Sequence, residues 1–123
     1  MHHIWCLIYV MHKKYMKQSS PTAWLEIQLK ATTALLMFCQ EHNYKDFRMV
    51  HLKACKEALA AKKINKAIEE YRNIPLGGNG CFNDWWPEPV YEHETEEYAE
   101  AVFQALTERW NRLMLLSVEA SNA

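Results

Sequence analysis

The chain has 123 residues, half of them apolar and about a quarter charged, with a formal net charge of −1. This length suits one domain, and the composition excludes a disordered or low-complexity chain. No stretch reaches the ~20 apolar residues that span a bilayer. A near-neutral chain without an Arg-rich recognition motif argues against nucleic acid as a partner.

The four cysteines, Cys6, Cys39, Cys55 and Cys81, form no C-x-x-C pair. Neither a zinc ribbon nor a disulfide framework is expected, and a reduced, cytoplasmic setting fits best. The six histidines include no H-x-x-x-H or H-E-x-x-H pair, so no specific metal site is expected, and His2-His3 is only a loose metal-binding motif. No cofactor is implied. Only three glycines occur, all between positions 77 and 80, which favours long helices over many short strands. The expected fold is an all-α bundle of three to four helices, closed by an ordered loop rich in Gly, Trp and Pro.

Ile4 to Met11 is apolar but short. It lacks a preceding basic region, and Lys13, Lys14 and Lys17 follow it instead of a cleavage site. Residues 1–19 are read as an N-terminal extension, with residues 1–15 open to being upstream of the native start. The helical domain is expected over 20–117 and a frayed tail over 118–123.

Ser20-Pro21 predicts a helix start, with Ser20 as cap and Pro21 in the first turn. Trp24, Ile27, Ala31, Ala34, Leu35 and Phe38 recur at helical spacing, and Leu25, Leu29 and Leu36 widen that stripe. The helix should end near His42-Asn43. A second helix is expected from about residue 44 or 46 to 61, with Phe47, Val50, Ala54, Ala58 and Ala61 inward and Lys45, Arg48, Lys53 and Lys56 in water. A third carries Ile64, Ala67, Ile68 and Tyr71, with Glu69, Glu70 and Arg72 outward. Lys62-Lys63 is no breaker, so the two could be continuous. Pro75 ends the segment. The last helix is expected over about 94–116, with Tyr98, Val102, Phe103, Leu106, Trp110, Leu113 and Met114 as its apolar stripe. Glu97, Glu100, Gln104 and Glu108 share another of its faces.

Charge divides along the chain. Residues 1–73 hold twelve Lys and Arg against six Asp and Glu, whereas residues 74–123 hold two against nine, so the halves carry +6 and −7. Two readings follow: the halves attract each other, or an acidic face is offered to a basic partner. The basic run Lys53, Lys56, Lys62, Lys63 and Lys66 reads as a solvated helix face.

The connection over 75–93 is longer than a structureless loop should be in a compact domain, and Phe82, Trp85 and Trp86 call for burial. It is therefore expected to be ordered. Gly77, Gly78 and Gly80 supply backbone freedom, Phe82 pins the loop to the core, and Asn83 and Asp84 cap nearby amides. Gly77-Gly78-Asn79-Gly80-Cys81-Phe82-Asn83-Asp84 resembles the Gly-Gly-Met-Gly-Ser-Phe-Asn-Asp signature of a family of small uncharacterised bacterial helical domains. The resemblance covers about residues 22–86. This chain has Asn79 for Met and Cys81 for Ser, and Trp85-Trp86 where aliphatic residues follow in the family. The resemblance implies a helical domain in which the signature follows two or three helices, and by class an immunity or antitoxin-like partner protein.

Three roles compete for the loop: a rigid connector, a protein-binding loop anchored by Trp85 and Trp86, and a phosphate cradle. The cradle lacks the Lys-Ser/Thr of a P-loop, and Asp84 and Glu88 oppose an anion. Cys81, His93 and Asp84 have the residue types of a thiol nucleophile, base and orienter, but nothing in their spacing brings them together. The expected function is non-catalytic protein binding, using Asn83, Asp84, Trp85 and Trp86 with the acidic face Glu97, Glu100 and Glu108. The partner would be a protein with a basic surface; self-association is also open. The alternative is a small enzyme or ligand-binding domain using the Gly-rich Asn-Asp loop. The two separate on whether Asn83 and Asp84 point into a cleft or into their own loop.

Overall fold

The computed structural model describes residues 21–122, with side chains from residue 24. The N-terminal extension, the Ser20 cap, Cys6, His2, His3 and His12 lie outside the described residues. Four helices account for most of the described chain: α1 (Pro21–Glu41), α2 (Met49–Ala60), α3 (Ile64–Arg72) and α4 (Glu96–Ser121). No strand occurs among the described residues. The fold is a small helical bundle, as the periodicity predicts.

α1 is the central helix. Trp24, Ala31, Leu35, Leu36, Phe38 and Cys39 are all buried, on more than one side of its axis. It packs against both α2 and α4, while α3 packs mainly on α2. Gln28 Nε2 donates to the Leu113 carbonyl at 3.2 Å and to the Ser117 hydroxyl, and Thr32 donates back to the Gln28 carbonyl, while Gln28 Oε1 is buried without a hydrogen-bond partner among the described residues. The helix closes at Asn43, whose φ of 59° lets Asn43 and Tyr44 donate to the carbonyls of Gln40 and Cys39. This is a Schellman closure, with asparagine in the left-handed position.

α2 differs from its expected orientation. Its buried residues are Leu52, Cys55, Ala58 and Leu59, whereas Phe47 is 80% and Val50 64% exposed and Ala61 lies in solvent. The helix begins at Met49 rather than 44–46, because the Asp46 carboxylate accepts from the Arg48 amide and guanidinium and shapes a turn there. Arg48, expected in water, is buried. Leu52, Cys55, Ala58 and Leu59 of α2 share one buried core with Ala67 and Ile68 of α3.

α2 and α3 are not continuous. Lys62 takes φ 61°, and the amides of Lys62 and Lys63 donate to the carbonyls of Leu59 and Ala58, a second Schellman closure. Glu70, expected on the outer side of α3, is buried between His51 of α2, at 2.7 Å, and Lys66, at 3.0 Å. These two donors, His51 first, hold its carboxyl below the usual carboxylate range.

α4 starts at Glu96 behind Thr95, whose hydroxyl accepts from the Tyr98 amide at 3.1 Å. It runs to Ser121, a turn past the expected end, with Leu116 and Ser117 buried and Val118 packed on the core. The buried line is Ala99, Phe103, Thr107, Trp110, Leu113, Met114 and Ser117, and Tyr98 of the expected stripe is 48% exposed. Tyr71 ties α3 to α4 by donating to Asn111 at 2.6 Å.

Candidate functional site

The segment between α3 and α4 is ordered by its own side chains first. The Asn83 carboxamide makes two bonds to Gly77, accepting from its amide at 2.9 Å and donating to its carbonyl at 3.0 Å. The Asp84 carboxylate accepts from the Gly80 amide at 3.0 Å. Gly80 has φ +84°, a conformation that L side chains rarely adopt. The other two glycines do not share that requirement: a methyl at Gly78 would meet open space, and one at Gly77 would make ordinary contact with the Cys81 sulfur.

Three outside donors then hold the loop's carbonyls. Tyr44 Oη donates to the Phe82 carbonyl at 2.6 Å, Arg48 Nη2 to Gly80 at 2.9 Å, and Gln104 Nε2 to Asn83 at 3.3 Å. Phe82 is fully buried, 5.1 Å from the Tyr44 ring and 6.0 Å from that of Phe103. Asp46 sets the Arg48 fork through two 2.8 Å bonds, and that fork is the main reason its carboxyl lies below the usual range. Burial, with Asp46 adding to it, pushes the Tyr44 hydroxyl upward, so it stays a neutral donor.

The two tryptophans part company. Trp85 lies flat on Tyr44, with centroids 3.9 Å and planes 6° apart, and meets the Phe103 ring edge-on at 4.9 Å. It is a packing residue on the core. Trp86 is 71% exposed.

Beyond Pro87, which is buried, the chain is pinned by Glu94. One carboxylate oxygen accepts from the Val90 and Tyr91 amides at 2.9 and 2.8 Å, and the other faces His42 Nε2 at 2.8 Å. The His42 ring stacks on Phe38, and its Nδ1 lies 2.9 Å from the Phe38 carbonyl. The Tyr91 hydroxyl donates to Glu41, at the last turn of α1. This pin draws together residues that sequence reasoning left apart. Glu94 reads as one more helix-start acid in Glu92-His-Glu-Thr-Glu-Glu97, and only Thr95, a residue type that caps helices, signals that the helix starts later.

What remains on the surface is Trp86, Val90, Tyr91 and Tyr98, all exposed, with Glu88, Glu92, Glu96 and Glu97 exposed among them. His93 lies between two of the rings, 6.1 Å from Tyr91 and 5.4 Å from Tyr98. The acidic stripe is not uniform. Glu97 and Glu108 are exposed, Glu100 is half-buried, and Gln104 between them is engaged with the loop.

The ligand-binding alternative needs Asn83 and Asp84 facing a cleft, and both instead bond to their own loop. Two open clefts, one lined by α3 residues with Ser121 and Asn122 and one between α1 and α2, involve neither side chain. The thiol reading is not assembled: Asp84 is engaged with Gly80, His93 with two tyrosines, and no hydrogen bond joins either to Cys81. Cys39 and Cys55 are buried, and burial pushes both thiols up to about 12, so neither is a ready nucleophile. Among the described residues, no three His, Cys, Asp or Glu side chains group as metal ligands, and no helix is long and apolar enough to cross a membrane. No protein-family model matches the chain, and neither does any curated protein or solved structure.

Proposed function

We propose that this chain is a non-catalytic protein-binding domain whose partner presents a basic surface, in the manner of a bacterial immunity or antitoxin protein. One observation carries the reading. Trp86, Val90 and Tyr91 stand exposed with Glu88 and Glu92 on the segment that the Glu94 carboxylate anchors to the end of α1, and Tyr98, Glu96 and Glu97 are exposed on the first turn of α4 that follows. A rigid aromatic patch loses little conformational freedom on binding, and aromatic anchors dominate interface energetics. A surrounding ring of carboxylates speeds encounter with a cationic surface and rejects acidic ones. Trp85, stacked on Tyr44 and edge-on to Phe103, packs on the core rather than anchoring a partner, and Asn83 and Asp84 set the loop's shape. Glu97 stands at the rim with Glu96, and Glu100 and Glu108 extend the acidic face along α4.

The test is comparative capture from native-host extract. The wild-type chain should retain a basic protein that is lost with Trp86→Ala and weakened with Glu96→Lys/Glu97→Lys or by raised salt. Identical retained proteins for wild type and all variants would overturn the reading.

A further inference from the structure

The start of α2 presents an apolar face that the bundle does not cover. Phe47 is 80% exposed, Val50 64%, and Met37 on α1 52%. A shallow groove of about 380 Å³ between α1 and α2 is lined by Val50 with Leu36, Gln40, Asn43, Tyr44 and Met49. Lys45 and Lys53 line the same groove, are exposed, and make no ion pair among the described residues. Phe47 is held in place: the Arg48 guanidinium sits over its ring at 4.9 Å, and Arg48 is itself fixed by Asp46 and the Gly80 carbonyl. This face therefore combines exposed apolar side chains, one of them held by Arg48, with polar and basic ones.

Its chemical complement is on the same molecule. The patch of Trp86, Val90, Tyr91 and Tyr98 is aromatic and rimmed with carboxylates. Tyr44 stacks on Trp85, and Phe47 and Trp86 follow these two residues in the chain, three positions and one position on. The +6 and −7 halves are bridged within the molecule by His42 and Glu94, but Lys45, Lys53, Glu88, Glu92, Glu96 and Glu97 enter no ion pair among the described residues. Two patches of opposite chemistry suit an isologous contact, in which each meets its complement once in each direction about a two-fold axis.

We propose that the chain forms a two-fold homodimer in which the Phe47–Val50 face of each protomer seats on the Trp86–Tyr98 patch of its partner. The proposal rests on the reading of that acidic patch as a binding surface and names a second copy as its resting occupant, which a basic partner protein would have to displace. Aromatic and aliphatic anchors would fill the centre of each contact, and Lys45 and Lys53 would meet Glu96 and Glu97 at the rim.

Sedimentation equilibrium on the full chain tests this. The wild type should show twice the chain mass at high concentration, dissociating as salt rises because the rim charges are screened. Phe47→Glu with Val50→Glu should weaken association at least tenfold, with circular dichroism confirming an unchanged helical content. Lys45→Glu/Lys53→Glu and Glu96→Lys/Glu97→Lys should each be monomeric alone. Mixed in equal amounts, they should form a heterodimer, because every contact is then complementary again. A wild type that stays monomeric, or a dimer indifferent to either charge reversal, or a mixture that fails to associate, would overturn the proposal. If the wild type is monomeric but Trp86→Ala still loses a captured basic protein, the dimer fails and the binding patch stands. If Trp86→Ala changes neither mass nor capture, both fail.

Discussion

Glu94 and His42 meet across fifty-two positions of sequence, with Oε2 2.8 Å from Nε2 and both side chains almost wholly enclosed. The Tyr91 amide, then the Val90 amide and His42, hold the Glu94 carboxyl at about 2 against an ordinary 4.5. A carboxyl with a depressed folded value contributes stability that is complete above its unfolded value and lost as pH falls through the folded one. The thermal midpoint should therefore fall between pH 4.5 and 2, and Glu94→Gln should make that fall shallower. Asp46 and Glu70, depressed in the same direction, should leave a residual slope. Superimposable melting profiles for wild type and Glu94→Gln in that window would show that the pin contributes nothing.

Arg48 is buried, serves Asp46 with two bonds and Gly80 with a third. Removing one partner of a largely buried pair strands the other, so Arg48→Ala should cost about 3–5 kcal/mol in urea unfolding. Arg48→Lys keeps the charge without the planar fork and should recover only part of that loss.

The three glycines should respond unequally. Gly80→Ala forces a Cβ into the left-handed region and should cost about 1–2 kcal/mol. Gly78→Ala meets open space and should be neutral or slightly stabilising. Equal melting temperatures for the two variants would contradict the assigned geometry.

Trp85 and Trp86 should separate in the same way. Trp85→Ala removes a ring stacked on Tyr44 and edge-on to Phe103, and should destabilise by about 3 kcal/mol. Trp86→Ala should change stability by no more than about 0.5 kcal/mol, as expected of an exposed side chain.

The helices were legible where one apolar period stood alone. Pro21 and the apolar positions from Trp24 to Phe38 mark α1, whose wide stripe is buried on more than one side. At α2 two apolar sets compete, and Phe47, just before the helix, and Val50, on its exposed side, mislead. The buried one, Leu52, Cys55, Ala58 and Leu59, joins the core shared with the other helices, which single-helix hydrophobicity does not report. The break at Lys62 was illegible, since lysine is not a residue that announces a left-handed turn. Phe82 was readable as a buried anchor, and Asn83 and Asp84 as cappers of their own loop. The Glu94–His42 pin was not, because it depends on a meeting of segments distant in sequence. Glu70 was misread for the same reason: its partner His51 is on another helix.

The loop at 77–84 has a temporal consequence. Its carbonyls take hydrogen bonds from Tyr44, Arg48 and Gln104, which lie 38, 32 and 21 residues away, so it can close only after the surrounding elements have assembled. Contacts of such separation form after the entropy of chain closure has been overcome. Tyr44→Phe should then leave the refolding rate nearly unchanged and accelerate unfolding, the pattern of a residue unformed at the barrier, and stopped-flow chevrons would reveal a slowed refolding limb if this ordering is wrong. How long each folded molecule lasts would be governed by a loop that has no part in how fast it is made.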